Sequence, residues 1–72
     1  MKKLSDVGEG KYKILEISKP GKLKKMYNLG IFTGDIIEVI KPAPGPVIIK
    51  KGNTTVAIGC GIAMDIIVEK VE

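Results

Sequence analysis

A chain of 72 residues is one small domain, taken as residues 1–72, and its 44% hydrophobic content argues for a core rather than a disordered tail. No apolar run approaches the roughly 20 residues of a membrane helix, and none follows the lysines of "MKKLSDVGEGK", so a cytoplasmic protein with no membrane span and no secretory signal is expected. Twelve Lys stand against eight Asp and Glu for a net charge of +4, with no Arg, no His and one Cys; this removes the commonest general base, any internal disulfide and a self-contained zinc site, so no enzyme and no cofactor are expected.

The first strand is expected at Lys11–Ile17, "KYKILEI". Tyr12 and Ile14 fall on one face and Leu15 and Ile17 on the other, a phase break that suggests a bulge. "SKPG" turns the chain into a short helix at Lys22–Leu29, where Leu23, Met26 and Tyr27 follow i, i+3, i+4 spacing as one apolar stripe. Lys22, Lys24 and Lys25 take its outer side. Gly30 stands where a left-handed residue closes a helix, and the following Ile31 is expected to pack back on Met26. Gly34, in "FTGD", is expected at positive φ in a turn.

Asp35–Lys41, "DIIEVIK", reads as the second strand. "PAPGP" cannot donate a regular backbone ladder and is a loop or an edge. Val47–Lys51 and Thr54–Ile58 flank "GN" as a hairpin. "GCGIAMD" is a turn with one helical turn at Ile62–Asp65, and Ile66–Val71 closes the chain as a last strand. The expected fold is mainly β, a small SH3-like barrel of about five strands with one short helix between the first two; an OB-type barrel is the alternative.

Few stretches carry chemistry. "GIFTGD" is a weak phosphate cradle, because it runs from helix to strand and lacks the Lys and Ser or Thr of a phosphate loop. "GEG" and "GCG" lack a longer fingerprint and read as tight turns. Cys60 has no His to activate it and reads as a thiol packed as a small hydrophobe. Asp35, Glu38, Asp65 and Glu69 lack the dense spacing of a cation loop and read as solvated charges at strand ends, so no metal site is expected. The lysines could follow nucleic acid, but only Tyr12, Tyr27 and Phe32 could stack on bases, so the lysines read as serving solubility and no nucleic-acid partner is expected. That leaves the helix, whose stripe either plugs one mouth of the barrel or lies partly at its edge as a docking patch beside lysines.

The order of these residues resembles the ferrous-iron transport A family, FeoA, over nearly the whole chain. "LSDVGEGKYKILEI" with Leu4 and Gly8 opens the likeness. "LGIFTGDIIEVI" is similar to the family's L-G-hydrophobic-x-x-G-x-x-hydrophobic-x-V stretch. Ala63, Ile66 and Val68 are similar to its closing A-x-x-I-x-V. Two features depart from the pattern: "GCGIAMD" has no charge before Asp65, where the family often has Arg and an acid, and Lys24-Lys25-Met26 replaces a common Arg-Leu.

The resemblance implies an SH3-like domain without catalytic residues. It implies a cytoplasmic adaptor that binds and regulates the ferrous-iron transporter FeoB through that transporter's cytosolic GTP-binding region. The expected contact patch is Lys22, Leu23, Lys24 and Tyr27 on the helix, with Phe32 beside it. Two other readings remain open: a small basic barrel that binds nucleic acid, and a relative of the SH3-like domain of metal-dependent repressors.

Overall fold

The computed structural model describes residues 1–18 and 20–71, the side chains of residues 20–23 excepted. Among the described residues, six antiparallel strands form one sheet around one core. They are β1 (Lys2–Lys3), β2 (Gly10–Ile17), β3 (Ile36–Lys41), β4 (Val47–Lys51), β5 (Thr54–Ile58) and β6 (Ile66–Lys70), in the order β1-β6-β2-β3-β4-β5. A 3-10 turn (Leu4–Asp6) follows β1, helix α1 (Pro20–Asn28) lies between β2 and β3, and helix α2 (Cys60–Ala63) precedes β6. This is the mainly β, SH3-like architecture expected, with one strand more than the five expected. β1 is only two residues long and carries no alternation to read; Lys2 lies opposite Val68 and Lys3 opposite Ile67.

The bulge in β2 explains the broken phase of its sequence. The register against β6 shifts between Ile14 and Glu16. One unpaired residue there turns Tyr12, Ile14 and Ile17 all to the core, while Leu15 is half-buried. The expected division of this strand into two apolar faces is therefore corrected to one face interrupted by a bulge. Past that point β3 no longer pairs with β2. The turn before β3 continues the ladder instead: the Gly34 amide donates to the Ile14 carbonyl at 2.7 Å and the Ile14 amide to the Asp35 carbonyl at 2.9 Å.

The β4–β5 hairpin has the expected bounds. Val47, Ile49 and Ile58 are its fully buried contribution to the core. α2 starts two residues earlier than the expected Ile62–Asp65. The amides of Ile62 and Ala63 both reach back to the Gly59 carbonyl, at 3.0 and 2.9 Å, which begins the turn at Cys60. β6 ends at Lys70, one residue short of expectation, although the Val71 amide still donates to the Lys11 carbonyl at 2.9 Å.

Candidate functional site

α1 begins at Pro20, two residues before the expected start, because proline is preorganised for a first helical position that needs no amide donor. It ends in a Schellman turn. The Gly30 amide donates to the Tyr27 carbonyl at 2.9 Å and the Ile31 amide to the Met26 carbonyl at 3.0 Å, with Gly30 at φ +79°. Met26 and Ile31, the pair such a turn brings together, are both fully buried. The helix therefore rests on the core through Met26. Tyr27, expected in the same stripe, is instead 46% exposed.

A second turn follows at once. The Asp35 amide donates to the Phe32 carbonyl at 3.1 Å, with Gly34 at φ +94° in the third position, as a type II turn requires. The Asp35 carboxylate closes the loop by accepting the Phe32 amide at 2.8 Å. Both glycines have the backbone roles expected of them.

This pair of turns holds an aromatic face. The Tyr27 and Phe32 rings meet at 4.9 Å between centroids, tilted by 56°. Aromatic pairs at such separations stabilise by about 0.5–1.5 kcal/mol beyond the area they bury. Phe32 is 42% exposed, and Leu29 is also exposed at the end of α1. Lys51, at the end of β4, fixes the arrangement from behind. Its ammonium lies 2.7 Å from Asp35 Oδ2, donates to the Gly30 carbonyl at 2.6 Å, and sits 5.0 Å from the Phe32 ring centroid. One side chain thus ties the helix-ending turn, the second turn and the hairpin together.

Partial desolvation pushes the Asp35 carboxyl upward. The hydrogen bonds from Lys51 and from the Phe32 amide, with the Lys51 charge, outweigh it and hold the carboxyl below its ordinary value.

Of the expected patch, Tyr27 and Phe32 are in contact and exposed, and Lys24 is exposed one helical turn before Tyr27. The side chains of Lys22 and Leu23 lie outside the described residues. Asp35 is not the solvated charge expected of it, since a lysine and a backbone amide occupy its carboxylate. No local pattern links the two in sequence, since Lys51 ends β4 and Asp35 lies sixteen residues earlier, in the turn before β3. Cys60 is also corrected. It stands exposed at the start of α2, and its thiol donates to the Gly45 carbonyl at 3.0 Å instead of packing in the core.

Tyr12, one of the three aromatics considered for stacking on bases, is buried and donates its hydroxyl to the Gly8 carbonyl at 3.1 Å. Among the described residues no three His, Cys, Asp or Glu side chains converge. Among them, too, no helix is long and apolar enough to cross a membrane.

The FeoA domain family model matches residues 2–70. A protein of Methanocaldococcus jannaschii provisionally named Fe(2+) transport protein A is 40% identical over 52 residues, covering 72% of this chain and 63% of that protein. The chain therefore matches somewhat less than two thirds of that relative's length. Among solved structures, a crystal structure of an iron uptake regulatory protein, FeoA, superposes with a TM-score of 0.85 at 33% identity over 96% of both chains.

Proposed function

The chain belongs to the FeoA domain family, and on that premise we propose that it is a small, non-enzymatic, cytoplasmic accessory protein of ferrous-iron uptake. It binds and regulates the ferrous-iron transporter FeoB through that transporter's cytosolic GTP-binding region. The similar proteins named for Fe(2+) transport and iron uptake regulation support the pathway. The observation that supports docking is the exposed Tyr27–Phe32 pair, held on two hydrogen-bonded turns by Lys51 and Asp35. Rigid aromatics with apolar neighbours are the side chains that dominate protein interfaces, because little conformational entropy is lost when they are covered. The contact patch in this reading is Lys22, Leu23, Lys24, Tyr27 and Phe32.

An amide NMR titration of the labelled protein with that cytosolic region tests the proposal. Shifts clustered on residues 22–34 support both function and patch. Shifts confined to other residues keep the function and discard the patch. A folded spectrum that does not move at high partner concentration rejects docking to that region.

A further inference from the structure

The two edges of the sheet are treated differently. β1 is two residues long and both are lysines, so a short, charged strand blunts that edge. β5, at the other edge, reads "TTVAI" with no charge and no proline. It pairs with β4 through an unbroken register from Lys51↔Thr54 to Val47↔Ile58.

The two-residue loop makes Lys51↔Thr54 a hydrogen-bonded pair, and alternation then makes Ile49↔Val56 and Val47↔Ile58 hydrogen-bonded pairs as well. The amides and carbonyls of Thr55 and Ala57 consequently point away from β4. None of these four groups has a backbone partner among the described residues. Thr55 and Ala57 are exposed and Val56 is half-buried. On the Val56 side runs a groove of about 340 Å³, lined by Leu29, Ile31, Lys51, Thr54 and Val56.

We propose that β5 is a self-association edge on which a second copy of this chain pairs antiparallel, Thr55 opposite Ala57 of the copy and Val56 opposite Val56 of the copy. Charge selects this occupant. A chain of net charge +4 repels its own copy wherever lysines meet, which favours neutral surface for contact between copies. Residues 52–64 are the longest stretch of the sequence without a charged side chain, and β5 lies within it. A partner of opposite charge would be drawn to the lysines, and β5 carries none.

The pairing is also geometrically self-complementary. Thr55 and Ala57 of each chain exchange both backbone hydrogen bonds with the opposite residue, four bonds in all. The central Val56 pair falls at a non-hydrogen-bonded position, where opposing side chains approach most closely. Each Val56 then covers the other beside the groove. The contact is small, so the association is weak and concentration-dependent. It uses neither Tyr27 nor Phe32 and stands apart from the docking proposal.

Sedimentation of the chain over a concentration series up to about 1 mM, where an association worth about 4 kcal/mol is half-formed, tests it. The expected result is an apparent mass rising from 7.7 kDa towards twice that value. The variant Ala57→Lys sets like charges near one another across the pair and leaves the core untouched. It is expected to stay at the monomer mass throughout with an unchanged circular dichroism spectrum. In the wild type, exchange of the Thr55 and Ala57 amides is expected to slow as concentration rises. A wild type that remains monomeric over the whole series overturns the proposal. So does an Ala57→Lys variant that associates like the wild type, or exchange at Thr55 and Ala57 that is indifferent to concentration.

Discussion

The Lys51 ammonium and the Asp35 carboxylate meet at 2.7 Å, and the same ammonium caps the Gly30 carbonyl. A single ion pair on a protein surface is ordinarily worth about 0–1 kcal/mol, because water and salt screen it. This one also satisfies the Gly30 carbonyl in the turn that closes α1 and supports the loop that carries Phe32, so its effect is structural as much as coulombic.

Asp35 makes stability depend on pH in a definite direction. Its carboxyl is held below its ordinary value in the folded chain. A group whose pKa is lower folded than unfolded stabilises above its unfolded pKa, about 3.9, and loses that contribution as pH falls through the folded pKa. Asp35→Asn is therefore expected to lower stability at pH 7 by about 1 kcal/mol or less after allowance for screening, and to flatten the decline below about pH 4. Urea titrations between pH 2 and 7 measure both. A variant with the wild-type acid profile would dissociate Asp35 from that decline.

Gly30 tests the backbone by itself. A Cβ there meets nothing within 4 Å, so substitution costs no clash, but φ is +79°. Gly30→Ala is expected to destabilise by about 1–2 kcal/mol through left-handed strain alone. The urea midpoint should fall with an unchanged m-value, since the surface exposed on unfolding is the same. A neutral result would mean that the turn relaxes out of the left-handed region.

Phe32→Ala removes the exposed ring without opening the core. In the proposed docking it is expected to weaken binding of the FeoB cytosolic region by about 1–2 kcal/mol, while the fold survives. Tyr27→Ala should do the same. The two losses should fall short of additive, because each ring positions the other at 4.9 Å. Calorimetric titration of the single and double variants checks this, and full affinity in the double variant would move docking to another face.

What could be read from the sequence was local. The β4–β5 hairpin is fixed by two loop residues between alternating strands. The end of α1 is signalled by Gly30 followed by an apolar residue. The bulge in β2 shows as an apolar pattern out of phase between Ile14 and Leu15. What could not be read was contact between distant segments. Lys51 ends β4 and Asp35 closes the turn before β3, and only the folded sheet brings the two together. β1 has two lysines and no pattern, and it becomes a strand only because β6 lies beside it. The exposure of Tyr27 was hidden by its spacing: i, i+3, i+4 places it near Met26, and the closing turn decides which of the two is covered.

β6 lies between β1 and β2, so the strand latest in sequence is the one that joins the two earliest. Lys2 faces Val68 and Tyr12 faces Lys70. A nascent chain leaving the ribosome can form the β4–β5 hairpin within microseconds, yet the flank of β2 stays open until residues 66–70 have emerged. Sheet completion therefore waits on β6. Pairs so far apart in sequence must close long loops before they form, which is the kind of contact that slows the folding of SH3-like barrels.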